Sequence, residues 1–308
     1  MHFRSFALSV AVTLSIGLPA LAQRLADPDF DTTVARPAYT SRGPRVLIDE
    51  AHHNIHTATG LYRPFADLIT ADGYRVTANT RPFTRASLLE FDILVISNAL
   101  GAPAAFAPGA SDPTFPEEAA HPAFTDAECD AVRDWVAAGQ ALLLIVDHAP
   151  MGAANERLGR RFGIDMSNGH TQDAANAADN RPGLILYTRA RGLAEHPVTT
   201  GRRADERVHT VLTFSGQSLV GPAGSVAFMR LADTAVDRLA SGGQRSAAGR
   251  AQGIALPFGR GRALVLAEAG MLSAQLAGPN RAPLGMNRPG IDNRQLALNI
   301  MRWLSRKL

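Results

Sequence analysis

The sequence has very few cysteine and lysine residues, and each scarcity excludes a class of chemistry. Cys129 is the single cysteine, so the chain cannot form an intramolecular disulfide. Lys307 is the only lysine. A P-loop ATPase needs a lysine within Gly-x-x-x-x-Gly-Lys-Ser/Thr, so this class is excluded even though residues 49–52 spell Asp-Glu-Ala-His. The same scarcity disfavours a lysine Schiff base.

The sequence also lacks concentrated charge and a serine-hydrolase motif. It carries 31 Lys and Arg against 28 Asp and Glu, a formal net charge of +3. No run of basic residues and no alternation of basic with aromatic residues occurs, so nucleic-acid binding is not predicted. No Gly-x-Ser-x-Gly sequence occurs either, so the nucleophile elbow of the α/β-hydrolases is absent.

A long apolar run is found only near the N-terminus, from Phe6 to Leu18. Arg4 precedes this run, and the small-x-small sequence Ala20-Leu21-Ala22 follows it. This pattern predicts a signal peptide over residues 1–22, cleavage before Gln23 and a periplasmic or secreted protein. The run is too short for a transmembrane helix, so no membrane anchor is expected after cleavage.

The remaining chain reads as a lead-in followed by one large α/β domain. Residues 23–44 lack periodicity and predict an extended lead-in, and residues 45–308 predict a single domain with an elaborated segment at 164–250. Alternating strands and helices predict a doubly wound sheet with helices on both faces. The predicted strands are Arg45–Asp49, Tyr74–Ala78, Asp92–Asn98, Ala141–Val146, Val211–Phe214, Val226–Leu231, Ala251–Pro257 and Arg262–Ala267. The predicted helices are Thr59–Asp72, a helix from a Thr125–Glu128 capping box to Ala138, Ala153–Phe162 and a closing helix through Leu296–Leu304.

Four segments predict loops or irregular structure. Gly101–His121 is rich in Ala, Pro and Gly, and its length indicates a lid or an insertion. Ser167–Pro182 is polar, Leu239–Arg250 is rich in Gly, Ser and Ala, and Asn280–Asn293 contains Pro and Gly.

Acidic residues end three of the predicted core strands and indicate a functional site. They are Asp49, Asp147 and Glu268. Two of these acids bring candidate catalytic histidines with them: His52 and His53 follow Asp49, and His148 follows Asp147. His56 belongs to the same polar run as His52 and His53. Parallel strands present their carboxyl ends at one edge of a sheet, where ligands bind. We therefore expect one crevice lined by these six candidate catalytic residues.

The chemistry of such a crevice has more than one interpretation. Clustered carboxylates and imidazoles could act as general acid and base, or could bind a divalent metal ion. Alternatively, Asp49 and Asp147 could cap the following helices or bond to loop backbone. Cys129 lies between Glu128 and Asp130 and shares a helix face with apolar residues, so we predict a buried, unreactive thiol.

Several stretches, taken in order, carry a resemblance to a known superfamily. They are VLIDEAHHN, FDILVISN, WVAAGQALLLIVDH, EHPVTTGR, GRALVLAEAGMLSAQ and GIDNRQLALNIMRWL. The chain resembles the class I glutamine-amidotransferase-like superfamily. Within that superfamily it resembles an uncharacterised bacterial family and, more distantly, the trehalose-utilisation (ThuA-like) proteins. The resemblance implies a flavodoxin-like, mostly parallel sheet with a ligand crevice at its carboxyl edge.

The sequence departs from true glutaminases at the catalytic positions. Those enzymes place a nucleophilic cysteine directly after the strand that corresponds to residues 141–146, whereas residues 147–150 here are Asp-His-Ala-Pro. Glutaminase activity is therefore not expected. Two functions remain: a hydrolase or lyase acting on a small polar or glycan-like substrate, and a non-catalytic module that binds a ligand or a partner.

Overall fold

The computed structural model of the protein describes residues 24–106 and 112–308. The predicted signal peptide, residues 1–22, and the predicted mature start at Gln23 lie outside the described residues. So do residues 107–111 of the predicted loop Gly101–His121. No helix in the described ranges is long and apolar enough to cross a membrane.

The helices and strands of the described ranges are as follows. The helices are α1 (Arg63–Ala71), α2 (Arg85–Leu88), α3 (Asp126–Ala137), α4 (Met151–Arg161), α5 (Pro197–Thr200) and α6 (Asn293–Leu304). The strands are β1 (Leu25–Ala26), β2 (Arg45–Asp49), β3 (Arg75–Asn79), β4 (Ile93–Ser97), β5 (Ala141–Ile145), β6 (Asp165–Met166), β7 (Gly169–Gln172), β8 (Ala177–Ala178), β9 (Arg181–Thr188), β10 (Thr210–Phe214), β11 (Leu219–Val220), β12 (Val226–Arg230), β13 (Val236–Leu239), β14 (Gln244–Ser246), β15 (Ala251–Phe258), β16 (Gly261–Leu266), β17 (Ala274–Ala277) and β18 (Ala282–Gly285).

A mostly parallel sheet forms the centre of the molecule. Among the described residues it has nine strands, in the order β3-β2-β4-β5-β16-β15-β11-β6, with β12 pairing β15. Strands β3, β2, β4, β5 and β16 are parallel, and β15 forms an antiparallel hairpin with β16. Counted along the chain, the parallel strands follow the order 2-1-3-4-5 of flavodoxin-like folds. The predicted fold class is therefore confirmed.

Helices cover both faces of the central sheet. On the first face, α1 and α6 pack through residues such as Phe65 and Ile300. On the second face, α3 and α4 pack through residues such as Val132 and Leu158. Cys129 of α3 is buried in this second layer, as predicted, and burial raises the pKa of its thiol to about 11.

The first helix begins later than its apolar periodicity predicts. The periodicity predicts a start at Thr59, but α1 starts at Arg63, with Pro64 in its first turn. Residues 57–62 form turns instead, in which the Tyr62 N–H donates to the Thr57 carbonyl at 3.1 Å. Proline is pre-shaped for the first turn of a helix and lacks the N–H that a helix interior requires, so it fixes the start.

Three segments predicted as irregular contain short strands, which corrects those predictions. Strand β7 lies within Ser167–Pro182, β14 within Leu239–Arg250, and β18 within Asn280–Asn293. These strands are three or four residues long. Each pairs antiparallel with a neighbour: β13 lies between β7 and β14, and β17 pairs with β18. A strand this short is too brief to show an alternating apolar pattern, so the sequence does not reveal it.

The chain segments around the central sheet complete the fold. Residues 164–250 supply two small antiparallel sheets, β10-β9-β8 and β14-β13-β7. The predicted lead-in contains β1, which pairs antiparallel with β17. This pairing brings Arg24 and Leu25 to the carboxyl edge of the central sheet, beside the site described next.

Candidate functional site

The pleat of the central sheet separates the three strand-end acids. Leu47 of β2 lies on the second face, and Asp49, two residues later, projects to the same side. Ile145 and Leu266 lie on the first face. Asp147 and Glu268, each two residues further, therefore project to the first side. All three acids lie at the carboxyl edge, but not on one side of it.

A cavity of about 710 Å³ opens at this edge. Its polar lining includes His56, Asn98, Asp147, His148, His170 and Glu268. Its apolar lining includes Ile55, Leu61, Phe106, Phe115, Met151 and Phe214. The cavity thus combines a few convergent polar groups with apolar walls, which is the usual composition of a small-molecule site.

Asp147 and Glu268 form a buried pair of carboxyl groups in this cavity. Glu268 is only 1% exposed, and its oxygens accept hydrogen bonds from the N–H groups of Gly270 and Met271, the latter at 2.8 Å. Burial, together with the neighbouring charge of Asp147, raises the pKa of Glu268 to about 8. Burial also raises the pKa of Asp147. Glu268 therefore retains its proton at neutral pH and can act as a proton donor in the cavity that Asp147 also lines.

Two stacked histidines lie beside the carboxyl pair. The rings of His148 and His170 are parallel to within 25°, with centroids 3.8 Å apart. His148 Nδ1 donates to the Ala149 carbonyl at 2.8 Å, so its Nε2 is left facing Asp147 Oδ1 at 3.8 Å. Partial burial and repulsion by His148 lower the pKa of His170 to about 4. His170 is therefore neutral at physiological pH, with Nδ1 3.4 Å from Ser215 Oγ.

A third histidine, His56, is a neutral hydrogen-bond donor in the cavity. Asn98 Oδ1 accepts the Asp147 N–H at 2.9 Å, so the Asn98 amide nitrogen faces His56 Nδ1 at 3.4 Å. His56 therefore accepts at Nδ1 and carries its proton on Nε2. Burial lowers the pKa of His56 to about 3, which keeps the ring uncharged.

Asp49 and His52 belong to a separate, sealed network on the second face. His52 Nδ1 lies 2.9 Å from Asp49 Oδ2, and His52 Nε2 lies 2.9 Å from Glu128 Oε1. The imidazole packs between Phe83 and Phe124, at ring-centroid distances of 4.8 and 4.6 Å. His52 is 7% exposed and does not line the cavity.

This network connects the end of β2 to the start of α3, and we call it the tie between β2 and α3. Glu128 is the third residue of α3, and its Oε2 accepts the Thr125 N–H of the predicted capping box at 3.0 Å. Burial by itself would lower the pKa of His52, but the hydrogen bonds to Asp49 and Glu128 raise it overall. Because the network is enclosed, removing one of its partners would leave a buried charge without compensation.

The expectation of one crevice lined by six residues is therefore wrong in part. The structure brings Asp147, His148 and Glu268 to the cavity and places Asp49 and His52 in the sealed network. His53 is exposed, has a backbone φ of 49° and does not line the cavity. Within residues 24–106 and 112–308, no group of three or more His, Cys, Asp or Glu side chains is arranged to hold a metal ion. The divalent metal considered from the sequence therefore lacks a ligand set in that part of the chain.

The sequence interpretation missed three polar residues of the cavity: Asn98, His170 and Ser215. Asn98 ends the predicted strand Asp92–Asn98, so the strand-end argument could have included it. His56, which the sequence groups with His52 and His53, does line the cavity. His170 and Ser215 come from the elaborated segment, more than twenty residues beyond the nearest parallel strand, and no spacing in the sequence connects them to Asp147.

Comparisons with known proteins agree with the fold. No family model matches the sequence, and no curated protein matches it. The N-terminal domain of mmIFT52 aligns with a TM-score of 0.58 and 14% identity, over 84% of this chain and 97% of that chain. Identity this low shows a shared fold and transfers no activity.

Other solved structures align less closely. A protein from Bacteroides uniformis ATCC 8492 described as ThuA-like has a TM-score of 0.42 and 14% identity, over 88% of this chain and 93% of that chain. A protein from Thermoplasma acidophilum described as part of a GMP synthase has a TM-score of 0.42 and 9% identity, over 86% of this chain and 95% of that chain.

Proposed function

We propose that this protein is an exported hydrolase or lyase that acts on a small polar or glycan-like substrate in the cavity at the carboxyl edge. In this proposal the chain is a glutamine-amidotransferase-like domain without the cysteine nucleophile. One observation carries the proposal: Asp147 and Glu268 are both buried in the lining of that cavity, and burial together with the charge of Asp147 raises the pKa of Glu268 to about 8. Such pairs are typical of sites that perform acid–base chemistry.

The following roles are proposed for the two carboxyl groups. Glu268 has the pKa of about 8 and is the member that holds the proton, so it serves as the general acid. Asp147 is the acceptor, and His148 Nε2 lies 3.8 Å from Asp147 Oδ1. Positioned acids and bases of this kind contribute about 100- to 10,000-fold to a reaction rate.

The remaining lining favours a small polar substrate. The Nε2–H of His56 offers a donor to a substrate oxygen, because Asn98 occupies its Nδ1. Phe106 and Phe115 add aromatic side chains to the cavity lining. A sugar has hydroxyl groups around its edge and apolar C–H faces above and below, and both kinds of surface find a counterpart here.

The proposal is tested by turnover of purified protein on a panel of glycosides, sugar esters and polar amides. We expect activity that falls as the pH rises past about 8, because Glu268 then loses its proton. Asp147→Asn should lower kcat at least about 100-fold. Asp92→Asn is the matched control, since Asp92 lies at the opposite edge of the sheet, where it accepts the Arg45 N–H. Equal losses in both variants would contradict the assigned role.

A second candidate function is a non-catalytic ligand-binding module. It is favoured by the two backbone hydrogen bonds to Glu268 from Gly270 and Met271, which also occur when a carboxylate only caps a turn. Saturable ligand binding without turnover, and with unchanged affinity in Asp147→Asn, would favour this second function over the first.

A further inference from the structure

We propose that Ser215 is a nucleophile and His170 its base, and that the cavity hydrolyses esters of small polar alcohols such as sugars. The inference rests on the proposed function and deepens it, because it adds a covalent step to the acid–base chemistry. It is carried by three observations: the backbone of Ser215, its hydrogen bond to His170, and the attachment of both residues to the carboxyl pair.

The backbone of Ser215 is held in a conformation that serine rarely adopts. Ser215 has a φ of 86°, a region that favours glycine. It follows the last residue of β10, Phe214, and lines the cavity. Non-glycine residues persist in such conformations only where the surroundings impose them, and they concentrate at functional sites.

The surroundings of Ser215 do impose this conformation. Gly216 lies so close to the end of β16 that a Cβ there would come within 2.3 Å of the Ala267 carbonyl oxygen. Gln217 donates its backbone N–H to the same carbonyl at 3.0 Å. The Gln217 side chain donates to the carbonyl of Asp147 at 2.9 Å. Ser215 is thus fixed relative to the backbone of Asp147 and to the strand that ends in Glu268.

His170 lies where it can act as a base for Ser215, and it is uncharged at neutral pH. Its Nδ1 lies 3.4 Å from Ser215 Oγ, a separation found in catalytic pairs before substrate binds. The neighbouring N–H of Thr171 donates to the Gly216 carbonyl at 2.8 Å, which ties β7 to the segment that carries Ser215. Because His170 is neutral, its Nδ1 can accept the hydroxyl proton.

Ester hydrolysis by Ser215 and His170 needs water as its only co-reactant. Ser215 Oγ attacks the ester carbonyl carbon while its proton passes to His170 Nδ1. The carbon–oxygen bond of the ester breaks, the alcohol leaves with that proton, and the acyl group remains on Ser215. Water then attacks the acyl group, gives its proton to His170, and the carboxylic acid leaves as Ser215 regains its hydrogen.

The low basicity of His170 favours ester substrates over amide substrates. An imidazole with a pKa near 4 is a weak base, and its protonated form is a strong acid. An ester carbonyl is more reactive than an amide carbonyl, and an alkoxide leaving group is readily protonated by a strong acid. The polar lining around His56 and the carboxyl pair then suits a hydroxyl-rich alcohol portion.

The test is covalent labelling of the full chain with a fluorophosphonate probe, read by intact mass and peptide mapping. We expect a single adduct on Ser215. Ser215→Gly should abolish it, and His170→Gln should slow labelling about 100-fold. Ser246→Ala is the matched control, since Ser246 lies on the exposed strand β14, and should label at the wild-type rate. A burst of nitrophenol from p-nitrophenyl acetate should accompany labelling.

Ser215→Gly also separates a catalytic role from a folding role. Glycine adopts a φ of 86° without strain, so this variant should unfold at the wild-type temperature or above while losing the adduct. Absence of an adduct in the wild-type protein, or an adduct that persists in Ser215→Gly, would overturn the nucleophile. Turnover that survives Ser215→Gly but not Asp147→Asn would overturn it while leaving the proposed function intact. Loss of turnover in Ser215→Gly alone would support the nucleophile and reject the roles of the carboxyl pair.

Discussion

At the scale of single residues, the direction in which an acidic side chain projects determines whether it lines the cavity or forms a structural contact. Asp49 and Glu268 are both strand-end acids and both fully buried, at 0% and 1% exposure. Asp49 faces His52 and is neutralised by it, whereas Glu268 faces another carboxyl group. Burial and the like charge of Asp147 both disfavour ionisation of Glu268, so its carboxyl group keeps a proton, whereas the Asp49 carboxyl group forms hydrogen bonds that hold His52 in place.

The raised pKa of Glu268 predicts a pH-dependent stability. The unfolded chain loses this proton near pH 4.5, but the folded protein keeps it until about pH 8. The folded state therefore binds more protons in this window, and stability should fall as the pH rises from 4.5 to 8, by at most about 1.4 kcal/mol per pH unit. Glu268→Gln removes the ionisation and should flatten the dependence. Chemical denaturation at pH 5, 6.5 and 8 measures this slope.

Glu118→Gln is the control for that experiment, because Glu118 is exposed and should leave the slope unchanged. The slope is the decisive quantity rather than the absolute stability, since glutamine has one acceptor oxygen where Glu268 uses one oxygen for Gly270 and the other for Met271. A slope in Glu268→Gln equal to that of the wild-type protein would show that another group titrates in this window.

Sequence reasoning found Asp147 and Glu268 because both follow apolar strands, a signal that needs no knowledge of neighbours. The direction of a parallel strand determines at which edge of the sheet its last residues lie, and this is why Asp49 is grouped with Asp147 and Glu268. The face of the sheet on which each acid projects depends instead on which alternate residues pack against which helices. Ile145 and Leu47 are both apolar, and only the packed structure assigns them to different faces. Ser215 depends on a close backbone approach at Gly216, which leaves no periodic signal.

At the scale of elements, the most predictable features are those determined locally. The capping box at Thr125 places the start of α3, and the continuous apolar run from Ala141 places β5. Both depend on neighbouring residues alone. The short strand β7 depends on pairing with β13, more than sixty residues later in the chain. Such a strand exists only because its partner is positioned by the rest of the fold.

The tie between β2 and α3 predicts how His52 affects stability. Its pKa is raised in the folded protein, so its contribution should be complete below the unfolded value of about 6.5 and lost as the pH rises through the folded value. We expect His52→Asn to lower the free energy of unfolding more at pH 5.5 than at pH 9.5. Denaturation of the wild-type protein and the variant at both pH values measures the difference.

His53→Asn is the matched control for this prediction. His53 is the next residue, is exposed, and has a positive φ that asparagine tolerates, so this variant should stay within about 0.5 kcal/mol of wild type at both pH values. If His52→Asn lost the same free energy at pH 5.5 and 9.5, the ring would stabilise the tie by packing between Phe83 and Phe124 rather than by its charge.

At the scale of the whole molecule, one buried arginine connects distant parts of the chain. Arg302 of α6 is 2% exposed and binds Asp72, the residue that ends α1, through Nε at 2.9 Å and Nη2 at 2.7 Å. Its Nη1 lies 3.0 Å from Glu206 Oε1 in the elaborated segment. Asp72 also accepts the Ala38 N–H of the lead-in at 2.8 Å. The closing helix thus holds the first helix, the lead-in and the elaborated segment together.

Loss of this arginine should therefore destabilise the entire molecule. Arg302→Ala leaves the buried Asp72 carboxylate without its cation, whereas Glu206 keeps Arg202, and breaking a buried pair costs roughly 3–5 kcal/mol. Burial by itself would raise the pKa of Glu206, but Arg202 and Arg302 lower it to about 2, so its contribution is present above pH 4.5 and lost as the pH falls through 2. The loss in Arg302→Ala should accordingly be larger at pH 7 than at pH 3.

Arg306→Ala, an exposed change just beyond the same helix, should cost less than about 0.5 kcal/mol. Equal losses in the two variants, or a loss confined to fraying of α6 in hydrogen exchange, would show that Arg302 stabilises its own helix and not the junction.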